Sequence, residues 1–112
     1  MSVFEQGDLI EMDFGPTLGH EPQKRRPALV VSVGFFNNVL SNLAVVCPIT
    51  SVPSTHPLHV CIPDGSAARG WICLEAIRAV DLRQRHAVSL GDPLDAKTMA
   101  HVLDGIGGIF GI

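Results

Sequence analysis

The chain has 112 residues, of which 46% are hydrophobic and 17% are charged, and its net charge is −3. This length fits a single domain spanning residues 1–112, and we expect neither a membrane-spanning segment nor a basic-then-apolar leader. The core of a domain of this length does not need so many apolar side chains. We therefore expect exposed apolar surface and a homo-oligomer.

The first third of the chain predicts two strands separated by a long loop. Residues 8–14 nearly alternate acidic and apolar side chains, which is typical of a half-buried strand. Residues 18–25 are polar and aperiodic, and they are interpreted as a loop of the kind that often carries function. Residues 28–33 form a continuous apolar run rich in valine, which predicts a strand buried on both faces.

The middle of the chain predicts a turn and a further strand. Residues 35–38 favour a turn or a short helical excursion, and residues 43–49 favour a strand. Pro48 lies within that strand and indicates an edge or a bulge, because proline has no amide hydrogen to donate to a neighbouring strand. Thr50 is expected where the strand gives way to a loop.

Four short segments predict the rest of the sheet: residues 58–62, 70–77, 78–82 and 86–90. Only the last part of the chain has a helical period, carried by Met99, Val102, Leu103 and Ile106. Two alternative start signals precede the helix, at Asp92-Pro93 and at Asp95-Ala96. The helix is expected either to end near Asp104, or to use the glycines that follow for close packing.

Five to seven short antiparallel strands followed by one helix predict a mainly β fold. The expected architecture is a small, strongly bent sheet or barrel with a terminal helix. Cys47, Cys61 and Cys73 lie in apolar segments at spacings that suggest no pairing. They are interpreted as reduced, buried thiols of a cytoplasmic protein.

A metal site is one possible interpretation of three nearby residues: His56, His59 and Cys61. On an extended strand His59 and Cys61 share a face, whereas His56 would point the other way. No second cluster in the sequence completes four ligands, so we expect no metal and no cofactor.

Basic residues are concentrated in two short segments of this acidic chain: Lys24, Arg25 and Arg26, and then Arg78, Arg83 and Arg85, with Arg69 between them. Local clustering of this kind indicates a basic groove for nucleic acid, although ordinary solvated charges would produce the same pattern.

Several segments, taken in order, resemble the PemK/MazF toxin family. They are Gly7-Asp8-Leu9, Asp13-Phe14-Gly15-Pro16-Thr17, Gly19-His20-Glu21, Arg26-Pro27-Ala28-Leu29-Val30-Val31, Pro48-Ile49-Thr50, Leu74-Glu75 and Ile77-Arg78-Ala79-Val80-Asp81. The resemblance implies an SH3-like barrel with a C-terminal helix (the CcdB/PemK-like fold) and a homodimer. It also implies sequence-specific, metal-independent cleavage of single-stranded RNA through attack by the 2′-hydroxyl.

The resemblance also points to catalytic residues whose chemistry suits that reaction. Arg26 would place a permanently charged, planar guanidinium against the phosphate as its charge rises. Thr50 would hydrogen-bond a phosphate oxygen. His20, Glu21 and Glu75 are the candidates for general acid and base, and each has an alternative interpretation as an ordinary loop or structural residue.

Cys73 departs from one branch of the family, which has an arginine there as the acid partner of the carboxylate at position 75. We interpret Cys73 as a buried core residue, so this chain lacks that pair of catalytic residues. If Glu75 is catalytic, it would act with Arg26 or His20. Lys24, Arg25, Arg83 and Arg85 are the expected RNA-binding residues around the site.

The resemblance further implies a PemI/MazE-like antitoxin partner, and DNA binding by the complex of toxin and antitoxin. An acidic, disordered antitoxin tail would be attracted to the same basic groove as RNA and would cover Arg26.

Two functions from other classes compete with a ribonuclease. A gyrase poison of the CcdB type shares the implied fold, but that family ends in Trp-Gly-Ile, whereas this chain ends Phe110-Gly111-Ile112. A peptide-binding SH3-like module needs an aromatic groove, and this chain has no tyrosine and a single tryptophan. The Gly-x-Glu loop followed by Arg26 favours the ribonuclease.

Overall fold

A computed structural model of the chain describes residues 4–14, 25–39 and 42–112. Its strands are β1 (Leu9–Asp13), β2 (Arg25–Val30), β3 (Leu43–Thr50), β4 (His59–Cys61), β5 (Trp71–Cys73), β6 (Arg78–Asp81) and β7 (Val88–Ser89). Its helices are α1 (Gly34–Val39), a 3-10 helix (Leu74–Ala76) and α2 (Ala96–Phe110). The prediction of a mainly antiparallel β fold with a terminal helix is confirmed.

The strands form one curved sheet in the order β4-β5-β3-β2-β1-β7, and β6 pairs with β3 beside that path. Strand β3 is central: one side pairs with β2, while the other pairs first with β6 and then with β5. Of the two alternatives for Pro48, an edge strand or a bulge, the edge strand is therefore wrong. Pro48 is tolerated because it falls between the last residue paired with β6 (Val46) and the first paired with β5 (Ile49).

Both faces of the central strands are buried, as the apolar run in residues 28–33 predicted. Leu29 lies opposite both Leu9 and Cys47, and this row packs into a cluster that α2 covers with Met99 and Val102. The neighbouring row faces the other side, into a second cluster built on Ile10, Met12, Ala28, Val30, Ala44, Val46, Val80 and Leu82. The sheet closes around its own apolar side chains on one face and is capped by a helix on the other.

The predicted strand over residues 70–77 is shorter than expected. It ends at Cys73, and a single 3-10 turn follows, in which Leu74 turns into the core and is 1% exposed. The Ile77 N–H donates to the Leu74 carbonyl at 3.3 Å and closes the turn. The turn leaves Glu75 on the outside of the molecule, beside β4.

Helix α2 begins at the second of the two predicted start signals. The Asp95 carboxylate accepts from the Thr98 N–H at 2.9 Å and from its hydroxyl at 3.0 Å, which satisfies one amide of the first turn. The helix runs through Gly105 to Phe110, so the alternative of an end near Asp104 is wrong. A Cβ on Gly105 would lie 2.5 Å from Leu74 Cδ1, which confirms the alternative of close packing.

The expectation of three buried thiols holds for only one of them. Cys47 is buried, Cys73 is partly exposed and Cys61 is exposed. On β4 and β5 the residues with odd numbers face away from the core, whereas Val60 and Ile72 fill it. In the part of the chain that the structure describes, no helix is long and apolar enough to cross a membrane.

Candidate active site

Arg26 and Thr50 lie together where β2 begins and β3 ends. The last pair between the two strands is Ala28 with Pro48, and Arg26 and Thr50 each lie two residues beyond it. Both line a surface cavity of about 330 Å³. The Arg26 side chain is exposed and makes no ion pair with another residue that the structure describes. Its charge remains available to an anion in the cavity.

The Thr50 hydroxyl is oriented by its own loop. Its Oγ1 accepts from the Val52 N–H at 3.2 Å, which leaves the hydroxyl hydrogen free to donate toward the cavity. On the other side, Gly70 approaches so closely that a Cβ would collide with the Thr50 carbonyl oxygen. Gly70 has a φ of +126°, a conformation that glycine adopts without strain. Thr50 is therefore held between its loop and the start of β5.

Arg69 lines the same cavity as Arg26 and Thr50, and the sequence interpretation did not assign it to the site. Arg69 lies at the cavity because the backbone of the next residue, Gly70, packs closely against Thr50. An arginine directly before a strand-opening glycine was the available signal. The cavity is thus lined by two arginines and by two residues with a hydroxyl, Thr50 and Ser51.

Arg25 has a different environment from Arg26. Its Nε lies 3.1 Å from Glu11 Oε1, its Nη1 lies 3.1 Å from Asp13 Oδ1, and it also donates to the Glu11 carbonyl. The bonds to Glu11 and Asp13 raise the pKa of Arg25. A hydrogen bond from His86, at 3.0 Å, and the bond from Arg25 lower the pKa of Asp13. Two carboxylates therefore already compensate the charge of this predicted RNA-binding residue.

Arg83 and Arg85 lie in the turn between β6 and β7, on the Arg25 side of the molecule. Arg85 Nη1 approaches the Asp13 carbonyl oxygen at 3.5 Å. Arg83 is exposed and lines a separate cavity with Phe4 and His86. The basic residues that the structure describes therefore do not form one continuous groove. Arg26 lines one cavity, whereas Arg25, Arg83 and Arg85 lie elsewhere, around Asp13 and His86.

Glu75 is paired with a histidine that the sequence interpretation did not connect to it. Its Oε2 lies 2.8 Å from His59 Nε2, and His59 Nδ1 lies 2.7 Å from Ser54 Oγ. Partial burial is the largest single effect and raises the pKa of Glu75. The hydrogen bonds from His59 and from the Glu75 backbone, together with the charges of His59 and His56, outweigh it, so the net pKa is lowered. Strand pairing could have revealed this contact, because His59 lies opposite Cys73, two residues before Glu75.

The Glu75 group lies next to the Arg26 cavity without lining it. Thr50 is paired with Trp71, and the Thr50 backbone amide lies near the sulfur of Cys73, two residues further along β5. Cys73 therefore separates Thr50 from the His59–Glu75 pair. Burial and the nearby Glu75 carboxylate raise the pKa of the Cys73 thiol.

A family model described as "PemK-like, MazF-like toxin of type II toxin-antitoxin system" matches residues 5–110. The chain belongs to this family of toxins. The predicted family is confirmed, and the match covers both the Arg26 cavity and the His59–Glu75 pair.

Curated relatives of this toxin carry ribonuclease names. It is 35% identical over 98 residues to the endoribonuclease toxin ChpB of Escherichia coli K12, covering 80% of each chain. It is 32% identical over 89 residues to the endoribonuclease toxin MazF of the same strain, covering 80% of this chain and 78% of the relative. These names bear out the prediction of an endoribonuclease and do not favour the CcdB-like alternative.

Solved structures confirm the predicted CcdB/PemK-like fold. A MazE–MazF structure from Deinococcus radiodurans superposes with a TM-score of 0.91 and 33% identity, covering 100% of this chain and 99% of the other. MazF alone from the same organism gives a TM-score of 0.86, again at 33% identity and over 100% of both chains. A mycobacterial endoribonuclease, at 18% identity, shares the fold with a TM-score of 0.77.

Three predicted site residues of this MazF-like chain, His20, Glu21 and Lys24, lie outside the described residues. Of the others, the structure brings Arg26 and Thr50 together and places Glu75 in the adjacent cluster. It places Arg25, Arg83 and Arg85 apart from that cavity, around Asp13 and His86.

Proposed function

We propose that this chain is a toxin that cleaves single-stranded RNA at specific sequences, without a metal ion, through attack by the ribose 2′-hydroxyl. The observation that carries the proposal is the cavity shared by Arg26 and Thr50 in a chain of this family. Relatives named as endoribonuclease toxins support the same reaction class.

The reaction forms a bond between the 2′-oxygen and phosphorus and breaks the bond between phosphorus and the 5′-oxygen. One proton leaves the 2′-hydroxyl and another joins the departing 5′-oxygen, so the products are a cyclic phosphate and a free 5′-hydroxyl. Negative charge builds on the phosphoryl oxygens in between. A site for this chemistry needs a base, an acid and a rigid cation.

Arg26 supplies the cation in this proposal. Arg26 follows Arg25, which is held in place by ion pairs. It also shares a strand with Ala28, Leu29 and Val30, which are fully buried, so the Arg26 backbone is held firmly. The planar guanidinium can donate two parallel hydrogen bonds to a phosphate. Arg69, which lines the same cavity, adds a second positive charge.

Thr50 positions the phosphate and does not transfer a proton. Because its Oγ1 already accepts from the Val52 N–H, its hydroxyl hydrogen is directed to a phosphoryl oxygen. General acid and base come from His20, Glu21 and Glu75. Glu75 is ionised at neutral pH, so in this group it can act only as the proton acceptor, and its lowered pKa makes it a weak base.

The partners of the proposed toxin are RNA, a PemI/MazE-like antitoxin and a second copy of the chain in the cytoplasm. MazE–MazF complexes among the similar structures support the antitoxin. An acidic antitoxin segment would be drawn to Arg26 and Arg69 by the charge that attracts RNA. Exposed apolar side chains of α2 and the residues after it support a homodimer: Leu103, Ile109, Phe110 and Ile112.

The test incubates purified full-length protein with unstructured RNA in EDTA and maps both ends of every product. We expect cyclic-phosphate and 5′-hydroxyl ends, and a loss of roughly 100- to 1,000-fold in kcat for Arg26→Ala, because a preorganised charge in the transition state contributes that much. Lys97→Ala, an exposed cation on α2, is the matched control and should cleave normally.

Intact RNA in the presence of folded wild-type protein would overturn the proposal. Cleavage of DNA by gyrase in treated cells, with messenger RNA intact, would replace it with the CcdB-like function. Simultaneous binding of RNA and antitoxin to one protomer would contradict the proposed overlap of their sites at Arg26.

A further inference from the structure

We propose that His59, Cys73 and Glu75 form a binding site for a divalent transition metal, for which Zn²⁺ fits best. Their donor atoms are an imidazole nitrogen, a thiol sulfur and a carboxylate oxygen, and all lie within 4.8 Å of one another. They come from three elements: β4, β5 and the 3-10 turn. The proposal departs from the sequence-based expectation of no metal, because strand pairing assembles ligands that are distant in sequence.

The fold holds these three side chains on one outward face. His59 and Cys73 are directly opposite each other in the β4–β5 pair, where side chains of opposed residues are close neighbours. The 3-10 turn then returns Glu75 over the same face, against His59. Two of the three ligands are partly buried and the third is exposed, so an ion has a route in from solvent.

The donor set matches the metal in chemistry and in charge. Thiolate, imidazole and carboxylate are the ligands that Zn²⁺ takes in proteins, and a thiolate disfavours Mg²⁺ and Ca²⁺. A Cys73 thiolate and the Glu75 carboxylate together carry two negative charges, which a divalent ion neutralises. Three protein ligands leave the fourth position for water or for His56, whose ring centroid lies 5.0 Å from that of His59. The expectation that His56 points away from His59 is thus wrong, because His56 lies in a loop and not on the strand.

Modest side-chain movement completes the geometry. A tetrahedral zinc ion, with bonds of about 2.0–2.3 Å, requires its donors to be about 3.3–3.8 Å apart. His59 Nε2 and Glu75 Oε2 are 2.8 Å apart and must separate slightly, with the ion inserted between them. The Glu75 side chain is 45% exposed, so its carboxylate is free to rotate.

A hydrogen bond already orients His59 from behind. His59 Nδ1 lies 2.7 Å from Ser54 Oγ, so in the metal-bound state Nδ1–H donates to Ser54 and Nε2 presents its lone pair to the ion. Before an ion binds, the Cys73 thiol donates to the Trp71 carbonyl oxygen at 3.8 Å. Binding releases one proton, from the Cys73 thiol, while the imidazole proton moves from Nε2 to Nδ1.

Metal binding at this site would withdraw Glu75 from RNA cleavage. The bound carboxylate can no longer accept a proton, and Cys73 adjoins Thr50 in the neighbouring cavity. This consequence rests on the proposed function, whereas the site itself does not. Slower cleavage in zinc is expected only if Glu75 takes part in the reaction, and binding is therefore measured separately.

The test adds Co²⁺ to the reduced, full-length protein, because Co²⁺ occupies zinc sites and gives a charge-transfer absorption when bound to a thiolate. We expect that absorption in the wild type, its displacement by Zn²⁺, and one proton released per ion. Cys73→Ser should abolish the absorption and weaken Zn²⁺ binding by about 100-fold or more. Ser54→Ala removes the group that orients His59, along with a hydrogen bond from the His56 N–H, and should weaken it by about tenfold. Cys61→Ser is the matched control, because Cys61 is an exposed cysteine on the same face of β4 and should bind normally.

Glu75→Gln keeps the proposal testable if Cys73→Ser does not fold, since Glu75 is exposed and its replacement should weaken Zn²⁺ binding while circular dichroism stays unchanged. Absence of the thiolate absorption in the wild type would overturn the site. So would an absorption that persists in Cys73→Ser or one that is lost in Cys61→Ser.

Discussion

Arg25 and Arg26 are consecutive residues whose guanidinium groups belong to opposite environments. Arg25 is paired with Glu11 and Asp13, while Arg26 lines the cavity of Thr50. The alternation of side chains along β2 separates them. One arginine therefore stabilises the β1–β2 pair, and the other is available for an anionic ligand.

Replacing Arg25 should destabilise the protein in a pH-dependent way. The folded-state pKa of Asp13 is lowered, so its contribution to stability is present above the unfolded pKa of about 3.9 and is lost as pH falls through the folded value. Arg25→Ala should lower Tm by a few degrees at pH 7, and the difference should shrink below about pH 4. Thermal melts from pH 3 to 7 measure this. Arg26→Ala should leave Tm nearly unchanged; an equal loss in both variants would contradict the separation of roles.

Thr50→Ala should slow RNA cleavage far more than Thr50→Ser. A hydrogen bond to a charged group contributes about 1.5–3 kcal/mol, which corresponds to roughly a 10- to 100-fold loss when the hydroxyl is removed. Serine retains the oxygen that accepts from Val52 and should recover most of the rate. Single-turnover cleavage of a short RNA is the measurement. Equal losses in both variants would show that the threonine methyl group, and not the hydroxyl, is what matters.

Gly70→Ala should damage both stability and cleavage, whereas Gly65→Ala should damage stability alone. Both glycines have positive φ angles, +126° and +88°, so a side chain at either costs about 1–2 kcal/mol of backbone strain. Only at Gly70 would the added Cβ also collide with the Thr50 carbonyl, while at Gly65 nothing lies within 4 Å. Denaturant unfolding and cleavage rates separate the two effects. Normal cleavage in folded Gly70→Ala would exclude its role in positioning Thr50.

Two glycines of α2 should respond to alanine with opposite signs. At Gly105 the new Cβ would lie 2.5 Å from Leu74 Cδ1 in a packed core, and we expect a net loss of about 1–2 kcal/mol in the free energy of unfolding. At Gly108 no atom lies within 4 Å, so the gain in helix propensity should stabilise by up to about 1 kcal/mol. Urea unfolding of both variants measures the difference. Stabilisation by both would mean that Leu74 moves aside without cost.

Much of the fold could be predicted from local sequence pattern. Alternation in residues 8–14 located β1, because strand periodicity is set by the immediate neighbours. The strand predicted over residues 28–33 overlaps β2 only in residues 28–30, since β2 begins at Arg25 and ends at Val30. The helix start at Asp95 was one of two alternatives, and the hydrogen bonds to Thr98 decided between them. Arg26 and Thr50 were found as residues at strand ends within a recognisable motif.

The sequence by itself determined the family and the strand-rich fold, and it singled out Arg26 and Thr50, which line one cavity. Only the tertiary structure decided which charged side chains are already paired and which potential metal-binding side chains lie together. Glu11 and Asp13 neutralise Arg25, and His59, Cys73 and Glu75 meet, because strand register joins residues that are 12 to 16 positions apart. That register depends on the whole core, with Leu74 and Gly105 in contact between turn and helix, and no local pattern encodes it.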